Sequence, residues 1–195
     1  MTLEEITCTK FKHIYEVVTS DSFITMSSLG GDIPFWIAPY DIKSENQVVV
    51  EIDNLEKRLL KEGIKPLTID LFKLTSKIID ENIGLNEMFE IEKDMEKIYF
   101  QEALQSTINI HERLIPLIIS LVEESNPQML FIKGVGLVYP FIRSHTVLNN
   151  LQSAVKNIPV VMFYPGEYSG LTLRLFGQFE DDNYYRAKNI DIQKI

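Results

Sequence analysis

The stretch from Met129 to Gly166 constrains the fold more than any other part of the chain. It opens with Met129–Ile132, a short apolar run stopped by Gly134 and Gly136. A run of this length without polar alternation reads as a strand buried on both faces. Pro140 suits the first turn of a helix, where its missing N–H costs nothing. Behind it Phe141, Leu148, Leu151 and Val155 recur at steps that make one apolar stripe. Val160–Tyr164 is a second apolar run, closed by Pro165 and Gly166. Strand, glycine turn, helix and strand make a βαβ unit with a right-handed crossover. In open α/β sheets, ligands and partners gather beyond the carboxyl ends of the strands. Lys133–Gly136 and Tyr164–Tyr168 therefore form the expected working edge.

The flanking sequence extends the same architecture. Leu3–Val18 reads as a helix, Ser20–Asp32 as a linker rich in Ser and Gly, and Ile33–Ala38 as a strand. Ser44 and Gln47 predict a capping box. The helix they open carries Val48, Ile52, Leu55 and Leu59 on one face and ends at Gly63. Leu67–Phe72 alternates as a strand with Leu67, Ile69 and Leu71 on one side, which completes a second βαβ unit. Lys73–Glu124 reads as helical, with Asn82–Gly84 as a break and an unbroken apolar spacing from Met88 to Ile98. Pro116 fits the first turn of a new helix starting near Arg113, with Leu117, Leu121 and Val122 turned to the sheet.

After Gly166 only Glu167–Gly170 precedes the next apolar run, too little chain for a parallel return. Leu171–Phe176 is therefore an antiparallel hairpin strand, with Leu171, Leu173 and Leu175 inward and Phe176 outward. Asp181–Asn183 turns the chain into a last edge strand within Tyr184–Ile192. The fold expected is one α/β domain over residues 1–195 in three layers. Its sheet is mostly parallel, of about five strands, with a C-terminal antiparallel hairpin, and residues 73–124 form an insertion-like helical layer. This layout is P-loop-like or Rossmann-like without a nucleotide fingerprint.

Charge and composition narrow the function. The 195 residues carry a formal charge of −9, and the pI is near 4.9. An acidic surface repels phosphate backbones, which argues against direct nucleic-acid binding. The lone Cys8 rules out an intrachain disulfide and fits a reducing compartment. The N-terminal residues lack the basic and apolar blocks of a signal peptide. The longest apolar stretch, Leu114–Val122, is well short of the ~20 residues that span a bilayer. A cytoplasmic protein is expected.

The motifs that could carry chemistry are incomplete. Lys133-Gly-Val-Gly136 lacks the Lys-Ser/Thr pair of a P-loop, and Tyr139 stands where a dinucleotide loop needs its third glycine. The plain reading is a tight strand-to-helix turn. His145 would need an orienting carboxylate to act as a base; Glu167 is the candidate from the neighbouring loop. His13, His111 and His145 have no metal-ligand spacing. Glu167-Tyr-Ser-Gly170 is not a nucleophile elbow. No cofactor or metal is expected.

An ordered series of segments resembles the BrxB family of the BREX bacteriophage-exclusion systems. It comprises Gly134-Val-Gly136, Tyr139-Pro-Phe-Ile-Arg-Ser-His145, Leu148-Asn-Asn-Leu151, Phe163-Tyr-Pro-Gly-Glu-Tyr168, Leu173-Arg-Leu-Phe-Gly177 and Asn183-Tyr-Tyr-Arg-Ala187. Lys133 departs from the family pattern, in which a small hydroxyl residue precedes the Gly-x-Gly. The resemblance implies no established catalytic activity. It implies work beside other BREX proteins, the phosphatase-like PglZ among them, in a system that methylates host DNA and blocks phage replication. Two readings stay open: an assembly or adaptor protein, and a nucleotide-binding or hydrolytic enzyme built on the degenerate loop with Arg143 and His145. For the first, the candidate partner-binding residues are Arg143, His145, Tyr164, Glu167, Tyr168, Arg174, Asn183, Tyr184, Tyr185 and Arg186. Tyr and Arg are enriched at interface hot spots. No membrane partner is expected, and self-association as a homodimer is left open.

Overall fold

A computed structural model describes residues 2–27, 33–181 and 186–193. Helices α1 (Leu3–Val18) and α2 (Asp21–Ile24) precede strand β1 (Phe35–Tyr40), and helix α3 (Glu45–Lys61) leads to β2 (Pro66–Asp70). Helices α4 (Leu71–Asn82), α5 (Leu85–Asp94), α6 (Lys97–Ile108) and α7 (Ile115–Ser125) follow. Strand β3 (Met129–Lys133), helix α8 (Ser144–Ala154) and strand β4 (Val160–Tyr168) form the expected βαβ unit. Short strands β5 (Leu173–Leu175), β6 (Phe179–Asp181) and β7 (Lys188–Asn189) close the chain.

The sheet runs β2-β3-β4-β1-β7 with every neighbouring pair parallel. β5 pairs antiparallel with the end of β4, and β6 antiparallel with β5. β1 and β2, the strands of the first βαβ unit, are separated in space by β3 and β4. Both faces of the parallel sheet are covered, so its central strands are apolar on both sides. Phe35, Ile37, Leu130, Ile132, Val160, Met162 and Tyr164 point to the side of α4, α7 and α8. Trp36, Ala38, Phe131, Val161 and Phe163 alternate to the side of α1 and α3. Of these twelve side chains none is more than 1% exposed.

Local chemistry explains the boundaries. Val48, Ile52, Leu55 and Leu59 are the buried stripe of α3. Gly63 ends that helix at φ +79°, while its own N–H donates to Leu60 O and that of Ile64 to Leu59 O. These two bonds make a Schellman motif. Ser44, however, makes no capping bond, and Gln47 Nε2 donates to Glu4 O at 3.4 Å. Asp41 takes the turn-starting role one step earlier, its Oδ1 accepting from Lys43 N at 2.9 Å. β2 stops at Asp70, because the Asp70 carboxylate caps α4 by accepting from Lys73 N at 3.2 Å. Leu71 and Phe72 are thus helical. α5 and α6 are separate helices, broken where Met95 is extended. A π-turn over Ile110–Leu114 opens into α7, whose Pro116 sits in the first turn as expected. Ile115 and Ile118 are its buried residues, with Leu117, Leu121 and Val122 partly buried beside them.

Three further expectations fail at the C-terminal end of the sheet. Pro140 does not open α8: a 3₁₀ turn over Gly136–Val138 ends at an extended Tyr139, the conformation a following proline favours. Pro165 and Gly166 do not close β4, which runs on to Tyr168 and exchanges β1 for β5 as its partner. Leu171 is exposed in the turn before β5, so only Leu173 and Leu175 face inward. An additional reversal at Phe176–Gln178 leads into β6, a strand not expected; of the expected turn at Asp181–Asn183, Asp182 and Asn183 lie outside the described residues.

Candidate functional site

The Gly-x-Gly loop lies at the carboxyl end of β3, against the start of α4 and the side chains of Pro165 and Phe176. Gly134 adopts φ +77°, and a Cβ there would lie 2.9 Å from Asp70 Oδ1 and 3.3 Å from Phe72 N. Both its conformation and its neighbours therefore demand glycine. Gly136 is held for space alone: a Cβ would meet Phe176 Cε1 at 2.8 Å and Pro165 Cγ at 2.9 Å. The Gly-x-Gly loop is packed against the Phe176 and Pro165 side chains and the start of α4. Lys133 does not point into the loop. Its Nζ donates to Asp53 Oδ1 on α3 at 2.9 Å, and its side chain is largely buried.

Above the loop stands an aromatic cluster. Tyr139 lies 5.3 Å from Phe179 and 6.4 Å from Phe176, ring centre to ring centre, and Phe176 and Phe179 are 6.4 Å apart. These are edge and tilted packings of the favourable kind. Phe176 takes φ +55° to enter the cluster, so it is not an outward strand residue. Sequence reading missed this cluster and β6 itself; Gly177 directly after an apolar run was the available turn signal. The cavity left between Val135, Tyr139, Arg143, Tyr164, Phe179 and Glu180 is about 50 Å³. That holds a few waters and falls far short of the ~300 Å³ of a small-molecule cleft.

The ten candidate partner-binding residues divide sharply. Tyr164 is 1% exposed and Tyr168 is 7% exposed, so neither offers a ring to a partner. Tyr168 instead ties the chain end to the sheet, its hydroxyl donating to Ala187 O at 2.7 Å. Glu167 and Arg174 are exposed and face each other across β4 and β5, 3.8 Å apart. Arg174 is also opposite Glu180 on β6, which makes an exposed row of alternating charge. Arg143 is exposed at the start of α8, and among the described residues it makes no ion pair. It lines both the small cavity and an open groove of about 340 Å³ shared with Gln105, Asn109, His111 and Thr146. His145 is half-buried in the first turn of α8. Arg186 is exposed beside α8, its carbonyl accepting from Gln152 Nε2 at 2.9 Å. Asn183, Tyr184 and Tyr185 lie outside the described residues. Among the described residues no three His, Cys, Asp or Glu side chains gather as a metal site. No described helix is long and apolar enough to cross a membrane.

Comparison with known proteins agrees with the ordered segments. The family model described as "BREX protein BrxB" matches residues 67–190. A "BREX protein BrxB" of Bacillus cereus (strain H3081.97) is 35% identical over 180 residues, covering 91% of this chain and 94% of the relative. A "BREX protein BrxB" of Escherichia coli O9:H4 (strain HS) is 25% identical over 178 residues, covering 91% and 88%. No solved structure matches. On the extent of these matches, the chain belongs to the BrxB family of BREX proteins.

Proposed function

We propose that the protein is a non-enzymatic assembly component of a BREX phage-defence system, one that holds other BREX subunits, the phosphatase-like PglZ foremost. One observation carries this reading. The carboxyl edge of the sheet, where α/β proteins place their ligands, is filled by Phe176 and Pro165 against Gly136. Arg143, Glu167, Arg174 and Arg186 are exposed, and Glu167 and Arg174 face each other across β4 and β5. Arginine forks of this kind suit carboxylates on another protein. Buried at the centre of an interface, an arginine anchor can contribute about 2 kcal/mol or more.

The test uses the tagged full chain in cells carrying the whole defence operon. The wild type should co-purify with PglZ and protect against phage. Arg143→Glu combined with Arg186→Glu should lose both, with an unchanged melting temperature. Lys57→Glu, exposed on α3, should change neither. If the double variant keeps its partner, the arginine surface is not the interface. If the wild type captures no BREX subunit, the assembly reading itself is wrong.

A further inference from the structure

The helical layer between β2 and β3 has an unfinished surface. Residues 80–102 hold eight Asp and Glu against two Lys, a net −6 of the chain's −9. All eight carboxylates are on exposed residues. Only two of them form ion pairs among the described residues, Glu90 with Lys93 at 2.6 Å and Glu81 with Lys77 at 3.7 Å. The same segment leaves large apolar side chains in water: Phe89 is 56% exposed, Ile98 57% and Tyr99 58%. Met88 is the buried residue of α5, and α6 buries residues only in its last turn, at Thr107 and Ile108. Around the Met95 break, Met95, Ile98 and Tyr99 are exposed, while Phe100 is partly buried against the core. Glu87, Ile91 and Asp94 recur along one face of α5 at helical spacing. With Glu90 and Met95 they line an open groove of about 400 Å³.

Exposed apolar area rimmed by charge marks an interaction site, and the sign of the rim selects the occupant. Nucleic acid and anionic membrane surfaces carry the same sign and are repelled. A second copy would set one strongly acidic face against another. A helix with leucines or other apolar residues on one side and lysines or arginines on the other satisfies both halves of the surface. We propose that the α5–α6 surface docks a basic amphipathic helix of a partner protein. The proposal rests on reading the chain as an assembly protein, and adds the chemistry of a second contact away from the arginine surface.

The test is fluorescence anisotropy on the purified full chain with a labelled leucine–lysine peptide of about 14 residues, roughly four helical turns. It is run near physiological salt, with the leucine–glutamate counterpart as a second probe. The lysine peptide should bind saturably and the glutamate peptide should not. Ile98→Ser with Tyr99→Ser, and separately Glu87→Lys with Asp94→Lys, should each weaken binding by about tenfold or more. Val50→Ser, equally exposed on α3, should leave it unchanged. Absence of binding, or equal binding by both patch variants, overturns the proposal. Sedimentation of the wild type with vesicles containing anionic phospholipid would overturn it in favour of a membrane. Co-purification from operon-bearing cells separates the two readings: subunits retained without peptide binding sink this site alone.

Discussion

The carboxyl edge of the sheet and the α5–α6 surface treat space in opposite ways. At the edge, Gly166 brings two strands so close that a Cβ would sit 2.1 Å from Arg174 O. Gly136 meets a phenyl ring, and the cavity between Val135, Tyr139, Tyr164 and Phe179 is about 50 Å³. Along α5 and α6, Phe89, Ile98 and Tyr99 stand in solvent and the neighbouring groove is about 400 Å³. The place where this architecture ordinarily keeps its chemistry is packed like a core. The α5–α6 surface is the one left open.

Four substitutions sharpen that contrast, in falling order of effect on stability. Gly166→Ala should cost about 3 kcal/mol or more, because the obstacle is backbone that cannot step aside; urea denaturation of the purified variant measures it. Gly136→Ala should cost about 1–3 kcal/mol by the same method, since the Phe176 ring and Pro165 can yield slightly. Tyr40→Phe should cost about 1 kcal/mol near neutral pH, the worth of the bond its hydroxyl donates to Glu45 Oε2 at 2.6 Å. Ile98→Ser with Tyr99→Ser should shift stability by no more than about 0.5 kcal/mol, as exposed positions do. A large loss there would mean that the α5–α6 surface is part of the core and not open.

Tyr40 also gives the protein a signature in alkali. Burial first, and then the bond to Glu45, raise its phenol pKa above the ordinary value of 10.0. The unfolded chain therefore loses this proton near pH 10 while the folded chain keeps it. The stabilisation is complete below that pH and is lost as pH rises above it. Lys10 acts in the opposite sense. Burial lowers its pKa from 10.5, partly offset by Asp191, so its share of stability grows as pH climbs toward the unfolded value. Melting curves from pH 8 to 11 should show a shallower alkaline fall in Tyr40→Phe than in the wild type.

Sequence carried the strands and the long amphipathic helices because their signals are local. Met129–Ile132 has no polar residue to expose, and α3 repeats its buried stripe at every turn. What escaped depends on contacts made across the fold. The Ser44–Gln47 pairing was plausible in isolation, but the Ser44 N–H donates to Asp41 O and the Gln47 amide to Glu4 O. The stop of β2 turns on Asp70 capping a helix that begins at the very next residue. Pro165 looked like the end of a strand, yet it keeps its register opposite Tyr40 while the chain passes from one sheet partner to another. At the candidate site, the exposure of Arg143 and Arg174 was legible from their charge. The burial of Tyr164 and Tyr168 was not, because an aromatic residue at a strand end serves core or surface equally well. The aromatic cluster needs Tyr139, Phe176 and Phe179 from separate elements, and no sequence spacing announces it.

The claim that the sheet edge is closed admits a direct measurement. Isothermal titration of the purified full chain with magnesium-bound ATP, and then GTP, reads whether the Gly134–Gly136 loop takes a nucleotide. A filled edge predicts no saturable heat at millimolar nucleotide. Saturable binding at micromolar affinity, weakened in a Gly136→Ala variant that still melts cooperatively, would contradict the account and return the loop to a ligand-binding role.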